Sequence, residues 1–314
     1  MKKCYIGIDT SNYTTSVAVV NEAGEVVANL KAPLPVGEGA RGLRQSDAVF
    51  AHTKNLPALL DRLGEILGEY TPVAVCVSDR PRGVADSYMP CFLSGVVAAR
   101  AIAAARGIPL YTTSHQEGHL MAALHSAGAP LVAGQPFGAF HVSGGTTEML
   151  LVTPDDAAFT VEKIGGTADL NAGQAVDRIG VLMGLSFPAG PALEALAREN
   201  DKPIPRPRIS VREGVCHISG LENMAAALFR ETDDKPLVAA FVLRFIGDTL
   251  AAMAAHLRAT HGVLPLLFAG GVMSNRIIAA ALTSRLGADV YFAEPAFSAD
   301  NAAGVALLCR AKAH

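Results

Sequence analysis

The chain has 314 residues, half of them hydrophobic and 18% charged, with 26 Lys and Arg against 29 Asp and Glu for a formal net charge of −3. That length suffices for one large core or for two lobes, and the charge balance makes any nucleic-acid contact depend on a local basic patch or a partner rather than on the overall field. The five cysteines, Cys4, Cys76, Cys91, Cys216 and Cys309, are scattered, odd in number and without a C-x-x-C pair, so neither a disulfide framework nor a cysteine zinc site is expected, and thiols serve as small apolar residues of a reducing cytosol.

The N-terminus passes straight from MKKC into strand-like alternation, and the most apolar stretch, CFLSGVVAARAIAAARGI, carries Arg100 and Arg106. Neither a signal peptide nor a membrane span is predicted, and the expected location is cytoplasmic. YIGIDT reads as a first strand ending in Asp9, Thr10 and Ser11, followed by the strands TTSVAVV and EVVANL around an NEAG turn. A helix follows from about Leu43 to Leu67, then the buried strand PVAVCVS, a helix stopped by Gly107, the strand IPLYTT, and a helix beginning at TTSHQEGHL. The plan then restarts. PFGAFHVSGG, TTEMLLVT and FTVEKIGG read as three more strands, and helices follow at PALEALAREN, at Pro236 to His261 and at IIAAALTSRLG. Two such units predict a duplicated α/β fold with a cleft between the copies, 1–130 and 131–297, with a helix at about 298–314 packing back on the first. The stretch NDKPIPRPRISVREG, rich in Pro and Arg, reads as a surface loop and is the densest basic segment of the chain.

His115 and His119 stand four apart with Glu117 between them. On a helix that spacing puts both imidazoles on one face and turns Glu117 well round the cylinder. It admits chelation of a borderline metal or two ordinary helix histidines, and the residues alone leave both open. The order also differs from the H-E-x-x-H of zinc peptidases, where the glutamate adjoins the first histidine. In the second unit, Ser, Thr and Gly at the strand turns bring backbone N–H and hydroxyl donors together where phosphate can be held, although such turns also occur in any hairpin.

Taken in order, several stretches resemble one family. GIDTS is similar to G-I-E-T-S, HQEGH to H-M-E-G-H, HVSGGTTEML to V-S-G-G-H-T, and NAGQAVDRIGVLMGLSFPAGP to A-G-E-A-F-D-K…L-G-L-x-Y-P-G-G-P. HISGLENM is similar to F-S-G-L-K-T, FAGGVMSNR to A-G-G-V-x-x-N, and SADNAAGVA to C-T-D-N-A-A-M-I-A. These are the signatures of the TsaD family, tRNA threonylcarbamoyladenosine synthases once labelled O-sialoglycoprotein endopeptidases. The resemblance implies an actin-like (ASKHA, ribonuclease H-like) two-lobe fold with an interlobe nucleotide cleft. It implies one divalent metal, ferrous iron or zinc, on His115, His119 and Asp300, with Asp9 and Glu117 as supporting groups. An adenine nucleotide, ATP or threonylcarbamoyl-AMP, would contact Ser143, Gly144, Gly145, Thr146, Thr147, Asp177, Gly190, Gly270, Gly271 and Asn275. The implied activity is transfer of the threonylcarbamoyl group to N6 of adenine 37 in ANN-decoding tRNA. The tRNA would be presented by TsaB-like and TsaE-like partner subunits, without a membrane, and a homodimer is compatible.

The chain also departs from the family pattern. Asn12, Tyr13, Thr14 and Thr15 stand where the family reads C-D-E-T; Thr146 replaces a histidine, Gln174 a glutamate and Glu222 a lysine, and Arg80 and Arg82 enter a loop where the family has glycine. These changes raise an alternative, a paralogue that binds nucleotide and metal as a scaffold or regulatory ATPase. A metalloendopeptidase rests only on the old label.

Overall fold

A computed structural model describes residues 1–314 except 12, 36–42, 85, 130–133, 156–158 and 299–300. The chain divides into two compact units. The first comprises Met1–Ser126, Pro154–Thr160 and Ala296–His314, and the second Ala127–Thr153 and Val161–Pro295.

In the first unit, strands β1 (Lys2–Ser11), β2 (Thr14–Asn21), β3 (Val26–Pro33), β4 (Tyr70–Arg80) and β5 (Leu110–Ser114) form one sheet in the order β3-β2-β1-β4-β5. β1 and β2 pair antiparallel, as do β2 and β3, whereas β1, β4 and β5 run parallel. β1 is buried from Cys4 to Ser11, as a central strand covered on both faces must be. Its alternation sorts two cores. Ile6 and Ile8 pack with Leu56, Leu59 and Leu63 of helix α1 (Gln45–Ile66) and Ala99 of α2 (Phe92–Arg106). Tyr5 packs instead with Val305 and Cys309 of the last helix. α2 ends where the sequence predicts, on Gly107 in the left-handed conformation.

The second unit repeats that order. β6 (Phe137–Val142), β7 (Thr147–Pro154), β8 (Phe159–Thr167), β11 (Leu266–Ala269) and β12 (Val290–Phe292) lie as β12-β11-β6-β7-β8, and the short strands β9 (Ser210–Arg212) and β10 (Val215–His217) extend the sheet beyond β8. β6 pairs antiparallel with β7 and parallel with β11. This is the duplicated ribonuclease H-like topology. Helices α4 (Ala172–Leu182), α5 (Gly190–Arg198), α6 (Gly220–Thr232), α7 (Lys235–His261) and α8 (Arg276–Leu286) cover the sheet. α7 is long and apolar enough to cross a membrane, but 78% of its most apolar window is buried. It reads as apolar on all sides because α5, α6 and α8 pack around it. The stretch expected as a surface loop ends in the β9–β10 hairpin: Gly214 at φ 77° makes the turn, and Cys216 and Val211 reach the core.

Helix α3 (His115–Ser126) is held by the last helix, α10 (Ala303–Lys312); α9 (Pro295–Ser298) precedes it. The two cross backbone to backbone: a Cβ on Gly304 would lie 1.8 Å from the Gly118 carbonyl oxygen. Only glycine permits that approach, so the H-Q-E-G-H and D-N-A-A-G stretches are mated by sterics. All five cysteines are buried, and burial pushes the thiols up, that of Cys4 to about 11 and that of Cys76 to about 12. Such thiols pack as small apolar groups.

Candidate functional site

In the first unit the polar residues gather at the carboxyl ends of β1 and β4, where a parallel sheet opens its backbone toward a ligand. Asp9 is fully buried and its carboxylate is well supplied with donors. The Ser11 hydroxyl donates to Oδ2 at 2.9 Å and the Ser78 hydroxyl to Oδ1. His115 Nδ1 lies 3.1 Å from Oδ2. The His115 and His119 Nε2 atoms lie 2.9 Å apart, with the rings edge to face. The one-turn spacing thus brings both imidazoles together, with a carboxylate behind Nδ1 of His115 and its Nε2 turned toward His119. That is the arrangement by which proteins orient a metal-binding histidine. The 2.9 Å separation is a hydrogen-bond distance between the rings, and it is also the span of two bonds of about 2.0–2.1 Å at the right angle of octahedral coordination. Among the described residues, no group of three His, Cys, Asp or Glu side chains forms a metal cluster. Asp300, the expected third ligand, lies outside the described residues, as does Asn12 of the first turn.

Glu117, expected as a supporting group, is buried at the start of α3. Its carboxylate accepts from the Ser114 N–H at 2.6 Å, while its own N–H donates to the Ser114 hydroxyl at 3.2 Å. This reciprocal pair is a capping box, and it starts α3 at His115. Ser-x-x-Glu is legible in SHQE once the helix is placed.

In the second unit a cavity of about 360 Å³ is lined by Gly144, Asp177, Gly190, Gly271 and Asn275 among the expected nucleotide residues. Each arrives by its own local logic. Ser143 and Thr146 close a tight turn between β6 and β7: the Ser143 N–H donates to the Thr146 carbonyl at 2.7 Å and the Thr146 N–H to the Ser143 hydroxyl at 3.1 Å. Gly144 and Gly145 are left exposed at its tip with open space where side chains would be. Glycines there leave the backbone at the tip of the turn open to close approach. Thr147 is buried, and its hydroxyl caps α4 by accepting from the Ala172 N–H at 2.9 Å. Gly270 lies behind the cavity with φ 103°, and a Cβ there would meet the Val142 carbonyl oxygen at 2.3 Å. It lets the turn after β11 pass against β6. Asn275 then caps α8 through Oδ1, which accepts from the Ile277 and Ile278 N–H groups at 3.0 Å each. Its Nδ2 stays available at the cavity.

Asp177 Oδ1 accepts from the Ala189 N–H at 2.8 Å, which leaves Oδ2 as a free acceptor. Glu194 adds a second carboxylate to the same cavity. Its Oε1 takes the Arg276 N–H at 3.3 Å and the Arg198 guanidinium at 2.5 Å. The sequence reading missed Glu194, although it lies one turn after Gly190 on the same face of α5. Leu243, Val272 and Ile278 provide apolar walls. Of the substituted positions, Gln174 and Glu222 line a neighbouring open cavity, and Glu222 pairs with Arg178 at 3.3 Å.

A family model described as TsaD, tRNA N6-adenosine threonylcarbamoyltransferase, matches residues 48–307. A relative of that name from Synechococcus sp. is 33% identical over 282 residues, covering 82% of this chain and 75% of its own. One from Prochlorococcus marinus is 31% identical over 330 residues, covering 97% of this chain and 90% of its own. Among solved structures, the HypF of T. kodakarensis superposes with a TM-score of 0.63 at 12% identity over 98% of this chain and 48% of that one. That likeness speaks to the fold alone, the actin-like one expected from the sequence. By the extent of the family match and of these identities, this chain belongs to the TsaD family of tRNA N6-adenosine threonylcarbamoyltransferases and is a transferase enzyme.

Proposed function

We propose that this chain transfers the threonylcarbamoyl group of threonylcarbamoyl-AMP to N6 of adenine 37 in ANN-decoding tRNA and releases AMP. One observation carries the reading: a single cavity of about 360 Å³ brings glycine turns, two carboxylates and apolar walls together from distant parts of the second unit. Leu243, Val272 and Ile278 suit the faces of an adenine ring, while Asp177 Oδ2 and the free oxygen of Glu194 suit hydroxyl or amino donors. The Gly144 and Gly145 N–H groups bind the phosphate. As N6 attacks the carbonyl carbon and the bond from that carbon to the phosphate oxygen breaks, charge grows on the phosphate, and fixed amides stabilise it without reorganising. Holding the two reactants in line supplies the rest, because no covalent nucleophile is needed.

His115 and His119, through their Nε2 atoms, would hold the divalent ion, ferrous iron or zinc, with Asp300 as the further ligand. Bound there, it would supply Lewis-acid chemistry. Asp9, 3.1 Å from His115 Nδ1, would orient the ring so that its Nε2 faces that of His119. TsaB-like and TsaE-like subunits would help present the tRNA in the cytoplasm, and the chain itself is compatible with a homodimer. The test supplies purified chain and partner subunits with threonylcarbamoyl-AMP and tRNA, and measures threonylcarbamoyladenosine in the digested nucleosides by mass spectrometry. Product that needs the cavity and the histidine pair is expected. A complete mixture that leaves the tRNA unmodified overturns the reading.

A further inference from the structure

The densest basic stretch of the chain takes no part in either site. Four of its 26 lysines and arginines, Lys202, Arg206, Arg208 and Arg212, fall within one short stretch of a protein whose net charge is −3. Pro203, Pro205 and Pro207 alternate through it. Each fixes its own φ and confines the residue before it to extended backbone, so Lys202, Ile204 and Arg206 are all held straight. The arm is also pinned to the unit. The Arg244 guanidinium donates to the Ile204 carbonyl at 2.8 Å, Lys202 pairs with Asp234, and Pro207 is buried. The arm runs into β9, the outermost strand of its sheet.

Arg206 and Arg208 are exposed on this rigid track, and among the described residues no acidic side chain lies within ion-pair distance of either. Arg212 is 90% exposed and meets only Glu213, at 3.9 Å. At about 3.1–3.3 Å per extended residue, the three guanidiniums cover about 20 Å. Guanidinium forks match phosphate oxygens, and an arm already straight loses little freedom on binding. The arm follows directly from α5, whose first residue lines the nucleotide cavity and whose nine residues measure about 13 Å. Arg206 lies eight residues beyond the end of α5, in the same compact unit as the cavity.

We infer that Arg206, Arg208 and Arg212 form a backbone-reading contact for the sugar–phosphate chain of the acceptor RNA, supplied by this chain itself beside whatever its partners contribute. The inference rests on the RNA-modifying reading but is tested by binding alone. Labelled anticodon stem–loop RNA is titrated with the full chain from about 50 to 300 mM potassium chloride. The triple variant Arg206→Gln/Arg208→Gln/Arg212→Gln is compared with wild type and with the triple lysine variant. The glutamine variant is expected to bind roughly ten- to hundredfold more weakly near 0.1 M salt, with a salt slope shallower by about 2–3, and without change in ATP affinity or melting temperature. The lysine variant keeps the slope. An unchanged slope in the glutamine variant, no RNA binding by wild type at the lowest salt, or a loss confined to binding of a partner subunit would each overturn the inference. Continued formation of threonylcarbamoyladenosine under any of those outcomes would leave the catalytic reading standing.

Discussion

At the strand ends of the first unit, side chains grip one another: Asp9 holds Ser11, Ser78 and His115, and His115 meets His119. At the equivalent ends of the second unit, side chains withdraw. Gly144 and Gly145 leave the tip of their turn uncovered by side chains, Gly270 lets the turn after β11 pass close to β6, and Asn275 turns its oxygen into a helix cap. One sheet order thus supports two chemistries. A buried carboxylate with several donors positions imidazoles through strong, directional bonds. A glycine turn offers partial charges on a backbone that cannot rotate away. The first kind of site is sensitive to the loss of one atom, and the second to the addition of one.

The largest effect that would sharpen this contrast is His115→Ala. Without its Nε2 the pair cannot be completed, and modification of tRNA should fall at least about a hundredfold, while ATP affinity, measured by calorimetry, stays near wild type. Comparable turnover in the variant would remove the imidazole pair from the mechanism. Asp9→Asn keeps the shape of the carboxylate but not its charge, and should cost about 10–100-fold in activity, with the metal content of the purified protein falling in parallel.

In the second unit, Asp177→Asn should weaken adenylate binding by roughly tenfold or more, as loss of a charged acceptor does, with little change in melting temperature. An unchanged KM would take Asp177 out of the cavity's work. Overpacking the α3–α10 crossing by Gly304→Ala should destabilise the protein by about 1–3 kcal/mol in denaturant titration, because the new methyl meets the Gly118 carbonyl. The smallest change is expected for Glu117→Gln. Glutamine serves the capping box nearly as well, so activity should remain within a few-fold of wild type; a hundredfold loss would show that the Glu117 carboxylate does more than cap α3.

A pH test separates a structural carboxylate from these functional ones. Burial alone would raise the pKa of Asp169, but the Ser219 hydroxyl and the N–H groups of Ile218, Leu170 and Ser219 outweigh it and hold the carboxyl well below the usual range. A depressed folded value means stability present above the unfolded value of about 3.9 and lost as pH falls from there through the folded one. Asp169→Asn should therefore lower stability at neutral pH and flatten the acid limb of the unfolding curve below about pH 4. An acid limb as steep as that of wild type would show that the carboxylate is not held in this way.

Local signals in the sequence carried most of the fold. Short strand-like runs bounded by turn residues marked β1 to β3 and β6 to β8, Gly107 marked the end of α2, and the one-turn spacing put His115 and His119 on one face, because each depends on neighbours within a few residues. The hairpin β9–β10 was hidden in what read as a loop: its strands are three residues each, too short for alternation to register. Resemblance to a family named Gly144, Asp177, Gly190, Gly271 and Asn275 of the cavity lining, but not the division of labour among the site residues. Glu117 became a cap, Thr147 turned inward, and Glu194 entered the cavity unannounced.

Composition and pattern by themselves determined that this chain forms two α/β units, that its cysteines are packing residues, and that its histidines stand one turn apart. Such features follow from the period of the backbone and from the cost of exposing apolar side chains. Only the tertiary structure decided that Gly118 must face Gly304, that Asp9 stands behind His115, and that Glu194 joins Asp177. Those pairings join residues far apart in the chain, and close packing of the assembled fold selects them where local propensity cannot.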